Sequence, residues 1–147
     1  MFHRILVATD GSELADKAVS SAIDLAAENA AELVALTVVP RYARSYFDGV
    51  MVFNDEEIAR IEGQSAKVAQ GRLDEVGKRA EARGVRAKTS TVVSDLVAEA
   101  IIAASKKHES DLIVMASHGR KGLARLLLGS ETQHVLTHSK LPVLVLR

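Results

Sequence analysis

The stretch Leu112-Ile113-Val114-Met115-Ala116-Ser117-His118-Gly119, followed after nine intervening residues by Gly129-Ser130, combines three local signals. The short apolar run predicts a buried strand, the glycines allow close approach of a ligand to the backbone, and a helical pattern follows Gly129. A helix start presents unpaired N–H groups and a partial positive charge. This combination is typical either of two simple turns or of a site that binds phosphate groups.

Short apolar runs alternate with longer helical patterns along the rest of the chain. Strands are predicted at residues 5–9, 32–39, 85–93, 112–116 and 141–146. Helices are predicted near residues 12–26, 54–83, 94–108 and 129–138, with Ser12 and Asn54 as N-caps and Gly84 after the second helix. The alternation predicts an α/β fold with a parallel sheet, helices on both faces and right-handed crossovers, in a single domain over residues 1–147.

The composition argues against several classes of function. Cysteine is absent, which excludes disulfides, thiol catalysis and thiolate metal sites. The 19 basic and 19 acidic residues balance, so charge gives no argument for general binding to nucleic acid or to a membrane surface. We find no apolar stretch as long as a membrane span and no signal region before the first strand, and we therefore expect a cytoplasmic protein.

Three strand ends carry the residues that we expect to form a site. Ligands of open parallel sheets bind beyond the carboxyl ends of the strands, where the strand order reverses. Thr9-Asp10, Val38-Val39 and residues 116–119 all follow the ends of predicted strands. The sequence therefore predicts that these segments meet in one crevice.

Other chemistry finds less support. His134 and His138 are four residues apart on one predicted helix, but no third ligand accompanies them, so we predict no metal site. Neither a P-loop nor a G-x-S-x-G nucleophile elbow is present, and we assign no catalytic residue. His118 lies in the predicted loop, and its side chain could either be exposed to solvent or contact a phosphate.

Two segments suggest contacts beyond the crevice. Residues 41–53 hold Tyr42, Tyr46, Phe47 and Phe53 without a clear period, which fits a surface loop or a flap near a ligand or subunit. The last predicted strand, 141–146, is strongly apolar and could form a sheet edge. Pairing of this strand with its copy in a second subunit would cover that edge, so we expect a homodimer.

The chain resembles the universal stress protein family nearly from end to end. The resemblance rests on residues 5–12, 111–119, 126–130 and 141–146, taken in this order and spacing. It implies a five-stranded parallel sheet of order 3-2-1-4-5, similar to the adenine nucleotide α-hydrolase and Rossmann-like folds, and dimers formed through the last strand. One branch of the family binds ATP through the pattern glycine, two residues, glycine, nine residues, glycine and Ser or Thr.

This sequence matches that pattern except at its first position. Gly119, Gly129 and Ser130 match the second glycine, the third glycine and the hydroxyl residue, whereas Ala116 replaces the first glycine. The extra methyl group matters where the backbone needs a positive φ or where the ligand touches the Cα atom. It costs little if the backbone is extended.

The resemblance implies a set of nucleotide-binding residues. Asp10 would accept hydrogen bonds from the ribose or base, Val38 would contact adenine, and the amides after Gly129 would hold phosphates, helped by the hydroxyls of Ser130 and Thr132. The carboxylate of Glu131 would have to point away from the phosphates or meet them through a metal ion. The full set is Ala8, Thr9, Asp10, Val38, Met115, Ala116, Gly119, Gly129, Ser130, Glu131 and Thr132.

Three functions are compatible with these residues. The first is a regulatory module that binds ATP, accompanied by Mg²⁺ or Mn²⁺. The second is a stress-associated interaction protein without nucleotide binding, of which Ala116 would be the first sign. The third is a slow ATPase in which Glu131 or Asp10 orients a metal ion or water. We expect at most slow hydrolysis, since no general base or arginine finger is evident.

Overall fold

A computed structural model describes residues 1–41, 46–47, 50–51, 54–119 and 128–147. The strands are β1 (Arg4–Ala8), β2 (Glu32–Val39), β3 (Tyr46–Phe47), β4 (Val50–Met51), β5 (Ala87–Val93), β6 (Leu112–Ala116) and β7 (Val143–Leu146). The helices are α1 (Glu13–Asn29), α2 (Asp55–Ala82), α3 (Val97–Lys107) and α4 (Ser130–His138). The strands β3 and β4 form a separate antiparallel pair.

The main sheet has the order β5-β2-β1-β6-β7, and all four pairings are parallel. Counted along the chain without the β3–β4 pair, this is the predicted order 3-2-1-4-5, which is confirmed. The chain leaves β1 toward β2 and later returns to the other side of β1 as β6. The strand order therefore reverses between β1 and β6, where ligands bind in sheets of this kind.

Helices cover both faces of the sheet because side chains alternate along each buried strand. Ile5 and Val7 of β1 pack with side chains of α1 and α2, whereas Leu6 of β1 packs with side chains of α3 and α4. The helix α2 contributes Leu73 to the first core, and α4 contributes Val135 to the second. The predicted arrangement of helices on both faces is confirmed.

The helix caps follow the predicted chemistry. The Ser12 hydroxyl accepts a hydrogen bond of 3.2 Å from the Ala15 N–H and caps α1. Asn54 and Glu57 form a reciprocal capping box at the start of α2, with Asn54 Oδ1 accepting from the Glu57 N–H at 2.8 Å. After α2, Gly84 has a φ of +72°, which glycine adopts without strain.

Four predicted boundaries were wrong by two or three residues, and one of them is the end of the first helix, which continues to Asn29 rather than stopping near residue 26. The strand predicted from residue 85 begins at Ala87, because the Val85 N–H donates to the Ala80 carbonyl at the end of α2. The last strand begins at Val143, because the Leu141 N–H donates to the Ser139 hydroxyl. The helix predicted from residue 94 begins at Val97, because the Ser94 hydroxyl accepts from the Leu96 N–H in a turn before the helix.

Two further expectations concern the aromatic segment 41–53 and membrane-spanning helices. The aromatic side chains of residues 41–53 lie outside the described residues, so the predicted loop or flap stays a prediction. No helix in the described ranges has both the length and the apolar character needed to cross a membrane.

Charged residues cluster at the amino ends of the strands, opposite the predicted crevice. Glu32 accepts hydrogen bonds from Arg4 Nε at 2.9 Å and from Arg86 Nη1 at 3.0 Å, and the Arg4 bond lowers the pKa of Glu32. Burial acts to raise the pKa of Asp111, but hydrogen bonds from the backbone N–H groups of His3 and Arg4 outweigh it and lower that pKa. The ion pairs of Glu32 join the starts of β1 and β2, and the hydrogen bonds of Asp111 join the start of β1 to the residue before β6.

Candidate functional site

A cavity of about 540 Å³ opens at the carboxyl ends of β1, β2 and β6. This volume lies within the range of small-molecule and cofactor sites. The residues predicted for the site all line it, namely Ala8, Thr9, Asp10, Val38, Met115, Ala116, Gly119, Gly129, Ser130, Glu131 and Thr132. The structure therefore brings together segments that are more than 120 residues apart in sequence.

One wall of the cavity is the exposed end of β2. The last described backbone hydrogen bond from the end of β1 to β2 joins the Thr9 N–H to the Leu36 carbonyl at 2.9 Å. Alternate residues of a strand direct their N–H and C=O groups to the same neighbour. The backbone of Val38 therefore points to the side of β1, beyond the point at which β1 ends. This places one donor and one acceptor at the apolar wall formed by Val38 and Met115.

Asp10 lies in a turn that fixes its carboxylate. Asp10 Oδ1 accepts a hydrogen bond of 2.9 Å from the Ser12 N–H, so the residue that caps α1 also holds Asp10. Between them, Gly11 has a φ of +77°, and a Cβ atom there would lie 2.7 Å from Arg72 Nη1. The positive φ of this tight turn therefore favours glycine at position 11, whereas the long Arg72 side chain can move aside.

Gly119 is close to the same carboxylate. A Cβ atom at position 119 would lie 2.8 Å from Asp10 Oδ2, which is shorter than real Cβ contacts. The φ of Gly119 is not in the left-handed region, so backbone conformation is not the reason for glycine. The reason is the approach of the loop after β6 to the turn after β1.

Gly129 packs against the loop that follows β6. Its N–H donates to the Ser117 carbonyl at 2.7 Å, and a Cβ atom there would lie 3.3 Å from both that oxygen and His118 Cα. Gly129 is the N-cap of α4 and makes no side-chain cap. The small size of this residue thus seats the start of α4 directly on the loop.

The first turn of α4, residues 129–132, presents its backbone to the cavity. The first bond within the helix runs from the Gln133 N–H to the Gly129 carbonyl, so the N–H groups of residues 130–132 have no acceptor inside the helix. The Thr132 hydroxyl donates to the Ala116 carbonyl at 2.9 Å and ties α4 to β6. Its single proton is therefore directed away from a phosphate, unlike the expectation from sequence, whereas Ser130 lines the cavity without such a bond.

Glu131 points across the cavity to another helix. Its Oε2 accepts a hydrogen bond of 2.8 Å from the Ala98 N–H in the first turn of α3. The sequence left open whether this carboxylate avoids the phosphates or meets them through a metal ion. In the structure it is directed to α3.

Sequence reasoning missed part of the cavity lining. The missed residues are Ala15, Leu36, Pro40, Asp95, Val97 and Ile101. Most of them are apolar residues, which the sequence alone predicts to lie in the hydrophobic core. Val97 and Ile101 reach the site only because α3 lies over the end of the sheet. His118, for which the sequence left phosphate contact open, also lines the cavity. Its side chain is half-buried, and Nδ1 lies 3.1 Å from the Ser117 hydroxyl. The basic residues Arg120, Lys121 and Arg125, which the sequence places next to the predicted phosphate site or in a solvated loop, lie outside the described residues.

Comparisons with known proteins agree with this architecture. The family model described as the universal stress protein family matches residues 1–147. The universal stress protein YxiE of Bacillus subtilis is 34% identical over 149 residues, which cover all of both chains. The structure of the universal stress protein UspA from Lactobacillus plantarum superposes with a TM-score of 0.84 at 26% identity and covers 99% of this chain and 97% of its own.

A further solved structure is that of a complex with a nucleotide. It is a universal stress protein in complex with cAMP, 26% identical, with a TM-score of 0.70 and coverage of 99% of this chain and 97% of that one. The fold, the family model over the full chain and a relative 34% identical at full length all agree. The chain therefore belongs to the universal stress protein family of stress-response proteins.

Proposed function

We propose that this protein is a single-domain regulatory module that binds an adenine nucleotide, ATP, in the cavity at the carboxyl ends of β1, β2 and β6. The observation that carries the proposal is the chemistry of that cavity. On one side is an apolar wall at which the backbone N–H and C=O of Val38 point beyond the end of β1, and on another side is the first turn of α4 with its N–H groups. A flat base fits the apolar wall, and phosphates fit the N–H groups of the helix start.

The individual contacts fit a nucleotide. The Val38 backbone can donate to and accept from the edge of adenine while Met115 covers its face. Asp10, held by the Ser12 N–H, can accept from the ribose hydroxyls. The amides of residues 130–132 and the Ser130 hydroxyl can donate to the phosphates, with Mg²⁺ or Mn²⁺ bound chiefly by those phosphates.

The cAMP complex of a related universal stress protein supports the ligand class. Ala116 does not weaken the proposal, because it belongs to β6 and pairs with Leu146 in an extended conformation. An alanine there needs no positive φ. Glu131 has its carboxylate on Ala98, which leaves it poorly placed as a base, so we expect regulation by occupancy rather than rapid hydrolysis.

The first test measures bound nucleotide. Protein purified without added ligand is denatured, its supernatant is analysed by chromatography, and the stripped protein is titrated with ATP by calorimetry. The chain has no tryptophan and two tyrosines, so bound adenine stands out in the ultraviolet spectrum. Absence of both bound nucleotide and binding heat at millimolar ATP would refute the proposal.

A pair of glycine variants tests the site assignment. In Gly129→Val, the added side chain meets His118 and fills the space before the first turn of α4, so we expect ATP affinity to fall at least tenfold. Gly71→Ala is the matched control, since a Cβ atom at position 71 meets nothing within 4 Å. Equal affinity of Gly129→Val and wild type would place the nucleotide elsewhere.

We also propose that the protein acts as a homodimer through β7. This strand lies at the edge of the sheet, and Leu144 on β7 and Leu136 on α4 are exposed apolar side chains. An uncovered apolar edge favours pairing with a second copy. Leu144→Asp should sediment as a monomer, whereas Val68→Asp, a similar change at an exposed valine of α2, should leave the dimer intact. A dimeric Leu144→Asp variant would exclude β7 as the interface.

A further inference from the structure

Glu131 joins the first turns of two helices. It is the second residue of α4, and its Oε2 accepts the 2.8 Å hydrogen bond from the N–H of Ala98 in α3. The N-cap of α3 is Leu96, which offers no side-chain cap. Because the first N–H groups of a helix have no acceptor within it, Glu131 supplies the cap that the sequence of α3 lacks.

The two joined helices form different parts of the cavity. The first turn of α4 provides the amides of residues 130–132, and α3 provides Val97 and Ile101 to the apolar wall. Ala98, the residue after Val97, is only 2% exposed, so its N–H has little access to replacement water. A displacement of the first turn of α4 must therefore either move the start of α3 or leave a buried N–H without its acceptor.

The carboxylate also adds a charge to the cavity. Glu131 itself lines the cavity beside Ser130, and the charge remains when its oxygen accepts a hydrogen bond. Unit charges a few ångströms apart in water change a binding constant by roughly threefold to fivefold. A nucleotide with three phosphates meets this repulsion more strongly than one with a single phosphate.

We propose that Glu131 is a positioning residue that couples the first turn of α4 to the apolar wall on α3, and that its charge reduces the preference of the site for ATP over AMP. The effect of the charge on nucleotide preference rests on the proposed nucleotide-binding function. The coupling of the helices concerns the protein without ligand, so the two halves have separate readouts.

Two substitutions separate the hydrogen bond from the charge. Glu131→Gln keeps an oxygen that can accept from Ala98 but removes the charge, whereas Glu131→Ala removes both. Glu99→Gln is the matched control, because Glu99 is an exposed acidic residue of the first turn of α3 and does not line the cavity. Affinities for ATP and AMP are measured by calorimetry without divalent ions, and exchange of the Ala98 amide is measured by NMR without nucleotide.

We expect Glu131→Gln to raise the ratio of ATP to AMP affinity by roughly threefold to tenfold while the Ala98 amide stays protected. We expect Glu131→Ala to accelerate exchange of that amide at least tenfold, and Glu99→Gln to change neither quantity. An unchanged affinity ratio in Glu131→Gln would overturn the role of the charge. Unchanged exchange in Glu131→Ala would overturn the coupling. A wild-type protein that binds neither nucleotide would refute the proposed function and the selectivity together, while the exchange result would still decide the coupling.

Discussion

Replacing Gly119 by alanine tests whether the approach of two loops, rather than backbone conformation, requires glycine. The new Cβ atom would lie 2.8 Å from Asp10 Oδ2. Asp10 is short and is held by the Ser12 N–H through its other oxygen at 2.9 Å, so the carboxylate cannot turn away and keep that bond. The substitution must therefore either displace the loop after β6 or break the bond between Asp10 and Ser12.

The cost can be estimated from these two routes. Inserting a methyl group into a well-packed position costs about 1–3 kcal/mol, and a hydrogen bond to a charged group contributes about 1.5–3 kcal/mol. Against this, alanine at an ordinary φ stabilises by about 0.4–1 kcal/mol through the unfolded chain. Because Asp10 is half-buried and Gly119 is exposed, the lower ends apply, and with the stabilising offset subtracted we expect Gly119→Ala to lower the free energy of unfolding by about 0.5–1 kcal/mol.

A double-mutant cycle identifies the cause. Urea unfolding is followed by circular dichroism for wild type, Gly119→Ala, Asp10→Ala and the double variant, since the chain has no tryptophan. In the Asp10→Ala background the contact is gone, so Gly119→Ala should be neutral or slightly stabilising, and the coupling energy should reach about 1 kcal/mol or more. Additive effects, or a Gly119→Ala variant as stable as wild type, would refute this explanation of Gly119.

Three further predictions concern stability. The pKa of His108 is lowered, first by burial and then by the charges of Lys107, Lys88 and Arg4. The native state therefore binds fewer protons than the unfolded state, and stability should fall as the pH drops below about 6.5. In His108→Gln the melting temperature should depend less on pH between 7.5 and 5.5, and a dependence as steep as that of wild type would contradict the assignment. Gly71→Ala in the exposed part of α2 should raise the free energy of unfolding by about 0.5–1 kcal/mol in urea titrations, since nothing contacts the new methyl group. Asn54→Ala should lower the free energy of unfolding by about 1 kcal/mol, because the capping box with Glu57 is lost. Gln64→Ala, at an exposed position of the same helix, is the control, and a smaller loss in Asn54→Ala than in Gln64→Ala would argue against the cap.

The sequence predicted the fold well because most strands and helices of the main sheet carry their own local signal. The run Glu32–Val39 is mostly apolar, is rich in β-branched residues and ends before Pro40, so both its type and its bounds were predicted correctly. The start of α3 carries no such signal. Its cap is Glu131, a residue 33 positions from Ala98, and the turn in which the Ser94 hydroxyl accepts from the Leu96 N–H resembles a helix N-cap at Ser94 in sequence.

The candidate site divides in the same way. Residues at strand ends, such as Asp10 and Val38, were predicted because topology alone brings strand ends together. The apolar wall on α3 was missed because Val97 and Ile101 differ in no local property from core residues of the same helix. Their placement depends on the position at which α3 crosses the sheet, which is set by packing.

Ala116 shows how the structure changes the meaning of an incomplete motif. In the sequence, its methyl group raised the question of lost nucleotide binding. In the structure, Ala116 lies opposite Leu146 in the extended strand β6, and its carbonyl accepts the Thr132 hydroxyl at 2.9 Å, so this residue fixes the start of α4. This bond uses a backbone carbonyl that alanine and glycine share. Alanine restricts this backbone more than glycine does, and at an extended position that restriction favours the folded strand without closing the cavity. The alanine is therefore compatible with the structure of a nucleotide site, and the glycines that geometry does require are Gly119, for its contact with Asp10, and Gly129, for its contact with His118.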